Sequence, residues 1–154
     1  MIFLPIEIDF KAPHERALIK IENAIVKKML SNVPPPNAES TIKKKGSSKT
    51  LVDTGEMVGH VTHRIAEGES GLVGEVGIFD GEIAKRALAN EFGVPWTHRP
   101  RPRADSENRE QDEVREWFIP PRPFLRPAFD ETAPKAAEEM ADEIYKQIEK
   151  KLGW

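Results

Sequence analysis

Cysteine is absent from this 154-residue chain, which excludes disulfides and thiolate metal sites and leaves the redox compartment unmarked. Also missing is any long apolar run. Met1 to Phe10 is apolar but short and carries Glu7 and Asp9, so it reads as neither a signal peptide nor a membrane span. A soluble protein made in the cytoplasm, with no membrane partner, is expected. A basic excess is lacking too: a net charge of −3 and a pI near 5.9 argue against general nucleic-acid binding. No Gly-x-Gly-x-x-Gly or Walker-type loop occurs. Gly71 to Gly77 falls in a strand pattern, and Lys44 and Lys45 follow no strand–turn signal. Apolar residues make up only 38% against 32% charged, so part of the chain is expected outside the core, in loops or partner-facing surfaces. The length suits a single domain over residues 1–154, able to bury about two thirds of its unfolded surface.

Leu4, Ile6, Ile8 and Phe10 alternate with Pro5, Glu7 and Asp9, which predicts a strand over 2–10, at an edge because of Pro5. Pro13 suits a first helical turn. Leu18, Ile21, Ile25 and Met29 then recur at helical spacing to about Asn32, where Pro34-Pro35-Pro36 stops the helix. Residues 34–50 show no periodicity and read as a mobile loop whose triple lysine, Lys43 to Lys45, suits either a solvated surface or an arm that orders against an acidic partner or DNA. A hairpin follows. Met57, Val61 and Ile65 share one face, His60, Thr62 and Arg64 the other, and Leu72, Gly74, Val76 and Ile78 repeat the pattern after a turn over 67–71. Gly59, Gly74 and Gly77 predict a bulge or a close backbone approach. Asp80-Gly81 opens a short helix with Ile83, Ala84, Ala87, Leu88 and Phe92 on its buried side and Gly93 as its cap. Residues 95–127, rich in proline, read as an excursion, with a second flexible loop near 97–113 and a short strand over 114–119 returning to the sheet. From about Thr132, Ala133, Ala137, Met140, Ile144, Ile148 and Leu152 predict a long helix whose acidic start and basic end match its dipole. The class expected is α+β: a small antiparallel sheet with the N-terminal and long C-terminal helices packed on one face, plus a short helix and two long loops.

The chain turns on Ile119-Pro120-Pro121-Arg122-Pro123-Phe124-Leu125-Arg126-Pro127-Ala128-Phe129. Its repeated prolines fix φ and remove donors, yet it is far more apolar than a linker. Such a rigid, arginine-flanked lead into a helix suits docking in one orientation; Phe124, Leu125 and Phe129 suit equally a cap on the protein's own core. Together with Ala89-Asn90-Glu91-Phe92-Gly93 and Asp53-Thr54-Gly55-Glu56-Met57, the stretch Pro121 to Ala128 resembles the tail-component family of tailed bacteriophages. The three signatures stand in that family's order and together span roughly residues 50 to 150. The resemblance implies an α+β fold, no catalysis, and a place in one ring of the neck or tail end, in a virion or a prophage.

Enzymatic signals are few. Leu51-Val52-Asp53-Thr54-Gly55 matches the signature of retroviral-type aspartic proteases, in which paired aspartates activate water. Here Glu56-Met57 follows instead of a small residue, and the helical content is too high for a nearly all-β enzyme. A turn leading into the hairpin, its side chains bonding nearby amides, explains the tripeptide better. His60 and His63, three apart in a predicted strand, face opposite ways and share no metal; His14 and His98 lack partners at ligand spacing. Trp96 with Arg99, Arg101 and Arg103 resembles a stacking surface for nucleic acid, but Asp105, Glu107, Glu110, Asp112 and Glu113 neutralise it. No catalytic, cofactor-binding or metal-ligating residue is assigned, and no enzyme is expected.

The expectation is a structural protein of the head–tail joint or tail end, working by ring assembly and protein–protein contacts. Its partners would be copies of itself and neck, connector and tail-tube proteins. It would reside in the virion after assembly in the host cytoplasm. The expected assembly interface is Arg122, Pro123, Phe124, Leu125, Arg126 and Phe129. A homodimeric aspartic protease built on Asp53 and a generic protein-interaction domain are the alternatives.

Overall fold

The structure, a computed structural model, describes residues 7–69, 71–98 and 115–153. Helix α1 runs over Lys11–Leu30 and buries Pro13, Leu18, Ile21, Ile25 and Met29, the stripe its periodicity predicts. Asp9 begins it by accepting from the backbone N–H groups of Lys11 and Ala12 at 2.9 and 3.1 Å. The strand expected over 2–10 is not seen in its described part: residues 7–10 precede α1 without strand structure, and residues 1–6 lie outside the described residues. At residues 9–12 the Asp9 side chain bonds the first amides of α1, so this end of the alternating pattern belongs to a helix start.

The 34–50 segment also departs from expectation. It contains a short helix, α2, over Glu39–Lys45, closed by Gly46 at φ 69°. No side chain of α2 is buried, so hydrophobic periodicity could not reveal it. Glu39 in the first turn, three lysines in the last and a left-handed glycine are the signal that was present. Asn37 Nδ2 and Lys45 Nζ both donate to the Lys49 carbonyl at 3.0 Å, closing the loop on itself. At its ends Val33 and Leu51 enter the core.

Asp53-Thr54-Gly55 leads into a single helical turn, α3, over Glu56–Gly59, so Met57 and His60 fall before the hairpin rather than in it. Strands β1 (Val61–Gly68) and β2 (Gly71–Ile78) pair antiparallel from Val61↔Ile78 to Gly68↔Gly71 without a bulge. Val61, His63 and Ile65 turn inward along β1. Gly74 provides the close approach its residue type suggested: a Cβ there would lie 2.7 Å from Leu18 Cδ2, so α1 seats directly on the strand. Gly59 and Gly77 face open space at the Cβ position.

Asp80 caps helix α4 (Gly81–Phe92), its Oδ1 accepting from Ile83 N at 3.1 Å. After Gly93 the chain forms β3 (Val94–His98), which pairs antiparallel with β4 (Arg115–Ile119). The return strand therefore joins a second two-stranded sheet instead of the hairpin, and Pro95 sits inside an element that the proline count had hidden. Proline is tolerated because each strand of such a ribbon keeps a free edge. Most of the second predicted loop, 97–113, lies outside the described residues.

Helix α5 spans Leu125–Leu152 and packs antiparallel against α1. Arg16–Glu143 and Lys20–Glu139 ion pairs cross the seam, and Ala128 and Ala136 lie buried along it. Ala136 rather than the predicted Ala137 faces inward, and Leu152 remains 43% exposed. The α+β class holds: N-terminal and long C-terminal helices with a small antiparallel hairpin, and α1 touching both the hairpin and α5. The core gathers Ile21, Ile25, Met29, Val33, Leu51 and Phe124, among others, from segments far apart in the chain. Among the described residues no helix is long and apolar enough to cross a membrane.

Candidate assembly interface

Helix α4 buries Ile83, Ala87 and Glu91, positions four apart on one face. Its apolar stripe is wider than that face. Leu88 and Phe92, expected in the core, are 57% and 67% exposed. The position that takes their place inside is an acidic one, because Glu91 has a task there.

The Glu91 carboxylate accepts from the backbone N–H groups of Phe124 (2.8 Å), Leu125 (3.0 Å) and Arg126 (3.0 Å). The first backbone donors of a helix have no partner within it. For α5 these are the amides of 124, 125 and 126, and the next residue, Pro127, has no N–H. One carboxylate from another element thus satisfies the whole helix start, where its negative charge also meets the positive end of the helix dipole. This explains why α5 begins seven residues before the point (Thr132) where its own periodicity starts.

Two further bonds hold the same stretch. Arg122 N donates to the Asn90 carbonyl at 2.6 Å. The Arg122 side chain, 8% exposed, donates from Nε to the Pro35 carbonyl at 2.8 Å and from Nη2 to the Pro36 carbonyl at 3.4 Å. Desolvation by burial lowers the Arg122 pKa from its ordinary value, although a guanidinium stays charged at any physiological pH. Proline carbonyls that no helix or sheet uses are natural acceptors for it.

Gly93 is part of this junction. Its φ of 72° is left-handed, and a Cβ would sit 2.9 Å from the Ile119 carbonyl oxygen and 3.0 Å from Pro121 Cδ and nitrogen. Neither neighbour is a flexible side chain that can swing away. Gly93→Ala should therefore destabilise the fold by about 1–3 kcal/mol, read as a lowered midpoint in urea against wild type.

With the stretch so clamped, Phe124 enters the core at 1% exposure, Leu125 is half-buried and Phe129 is 43% exposed. Between α4, the end of β2 and the first turns of α5 lies a cavity of about 530 Å³. Its walls are mainly apolar: Ile78, Ala84, Leu88, Phe92, Leu125 and Phe129. That size is typical of a site that takes several side chains or a drug-sized molecule. Of the six residues predicted for the interface, Phe124, Leu125, Arg126 and Phe129 line this groove. Arg122 is instead turned inward to Pro35 and Pro36, and Pro123 is exposed but away from the groove wall. Sequence reasoning missed Leu88 and Phe92 as groove residues, having placed them in the core. The available signal was Glu91: a carboxylate amid the stripe marks where the buried face turns away from them.

The other candidate chemistry is less developed. Thr54 Oγ1 accepts from Glu56 N at 3.3 Å, the local turn that Asp53-Thr54-Gly55 suggested, and Glu56 pairs with Arg86 on α4. His14 and His60 lie 2.8 Å from the carbonyls of Phe10 and Glu56, each on its own turn of chain, while His63 Nδ1 is 2.5 Å from Glu22 Oε2 on α1. The prediction that His60 and His63 share a strand is corrected, since His60 precedes β1. Among the described residues no group of three or more histidines and carboxylates is placed to hold a metal ion.

Ala89–Gly93 and Pro121–Ala128 are bonded to each other, Asn90 and Glu91 to the amides of Arg122 and of Phe124 to Arg126, while Asp53 to Met57 line one cleft with Asn90 and with Arg86, just before that stretch, which pairs with Glu56. No protein-family model, curated protein or solved structure matches the chain.

Proposed function

We propose that the chain is a structural component of the head–tail joint or tail end of a tailed bacteriophage or prophage. It acts by protein–protein contacts through the α4–α5 groove and assembles into a ring with copies of itself against neck and tail-tube proteins. One observation carries this reading: the groove is rigidly built yet left open, with Leu88, Phe92 and Phe129 exposed around a clamped helix start. An apolar groove left exposed and rimmed by polar residues is the kind of surface that interaction sites use. The meeting of the three stretches that carry the phage resemblance supports the same reading. The aspartic-protease alternative calls for a nearly all-β subunit, which this helix-rich chain is not.

The reading makes a separable prediction. Leu88→Ser with Phe92→Ser removes groove surface from residues that contribute little to the core, so folding stability should change by less than about 1 kcal/mol. Self-association measured by light scattering, and tail joining in a phage complementation assay, should fall at least tenfold. Unchanged tail joining by the folded double variant would overturn the function. Genes for portal, capsid and tail proteins beside the coding sequence are expected, whereas unrelated neighbours would favour a generic interaction domain.

A further inference from the structure

We propose that the groove is filled by residues 2–6 of a neighbouring copy, so that each subunit both offers an apolar N-terminal segment and receives one. The inference rests on the groove being an assembly surface and names its occupant. Ile2, Phe3, Leu4 and Ile6 are of the same apolar class as the groove walls, and Pro5 restricts the segment toward extended conformations, which reduces the entropy lost on docking. Position decides whose segment it is. The described chain begins beside the C-terminal end of α5: Asp9 exchanges two hydrogen bonds with the Gln147 side chain, both 3.1 Å, and Glu7 and Ile8 lie with Gln147 and Lys151. The groove uses the other end of the helix, Leu125 to Asp130. Along the helix, Asp130 and Gln147 are about 25 Å apart. Six residues reach at most about 20 Å fully extended. A subunit's own segment falls short of its own groove.

A second copy has no such limit. Arg126 stands at the groove rim, 79% exposed in its side chain and paired with Asp130 at 3.7 Å, a weak exposed ion pair that it can exchange for Glu7 as that residue follows the docked segment. Donor and acceptor surfaces lie at opposite ends of α5, so two copies either exchange segments across a two-fold axis or pass them head to tail, and a head-to-tail contact that repeats closes a ring or runs on as a filament.

Two full-length variants test this. Phe3→Asp with Leu4→Asp spoils the donor and keeps the groove; Leu88→Glu with Phe92→Glu spoils the groove and keeps the donor. Each alone should have monomer mass by light scattering, with an unchanged circular dichroism spectrum. Mixed, they should form a one-to-one heterodimer and nothing larger, since a single good donor–acceptor pair remains. Where wild type assembles, its mass retained by the Phe3/Leu4 variant, or a mixture that stays monomeric, overturns the proposal. Assemblies that survive the Phe3/Leu4 change but vanish with the Leu88/Phe92 change would leave the groove as the assembly surface and assign it another occupant. If wild type is itself monomeric, a labelled peptide of residues 1–9 is added to the Phe3/Leu4 variant. Saturable binding that is lost in the Leu88/Phe92 variant supports the proposal, and absence of binding overturns it.

Discussion

Glu91→Ala should cost about 3–5 kcal/mol, a large share of the 5–15 kcal/mol typical of a domain this size. The carboxylate accepts from three backbone amides that have no other partner, and two of those amides flank the buried Phe124. Removing it strands buried donors and takes a negative charge from the helix N-terminus. The expected result is a fall in the urea midpoint with faster hydrogen exchange at 124–126. Helix α5 would then start nearer Thr132, where its own sequence pattern begins. Glu91→Gln keeps an oxygen but turns an NH₂ toward the same donors, and should lie between the two. A Glu91→Ala protein as stable as wild type, with unchanged exchange at 124–126, would show that the cap contributes nothing. Arg122 tests a different clamp: its partners are carbonyls of the Pro35-Pro36 segment, so its loss should loosen 34–50 instead.

Phe124→Ala should lose about 3–5 kcal/mol, because a side chain 1% exposed leaves a cavity that its neighbours cannot fully close. Phe124 joins Ile21, Ile25, Met29, Val61 and Ala128 in the core, so its loss is felt by α1, the hairpin and α5 together. Serine adds the burial of a hydroxyl, and Phe124→Ser should be worse than alanine. Leu125→Ser, half-buried at the groove, should cost less stability and more assembly. The contrast between adjacent residues separates the two roles that the sequence left undivided for this stretch, core cap and docking surface. Because Glu91 holds the Phe124 amide, Glu91→Ala and Phe124→Ala should combine non-additively, and a double-mutant cycle measures that coupling. Unfolding midpoints that simply add would show that cap and core act independently.

Local patterning decided a good deal. The spacing of Leu18, Ile21, Ile25 and Met29, the alternation in the hairpin and the Asp80 cap each arise from interactions within a few residues. Such interactions are written in periodicity and residue type, which is why α1, the two hairpin strands, α4 and most of α5 were legible, and with them the α+β class. The importance of the 119–129 stretch was legible too, since prolines mixed with aromatics are hard to reconcile with a solvated linker.

What stayed hidden depends on partners distant in sequence. A helix whose first turn is capped by a carboxylate thirty-three residues earlier has no N-cap signal of its own, so Leu125 to Glu131 looked like a lead-in. Arg122 looked like a docking residue until the carbonyls of Pro35 and Pro36 were found beside it. Leu88 and Phe92 looked like core because apolar spacing reports that a face is oily, while only the packing of other elements decides which part of it is covered. The sequence by itself determined the elements that bury their own stripes. The tertiary structure alone decided which apolar side chains were left over, and those leftovers form the groove.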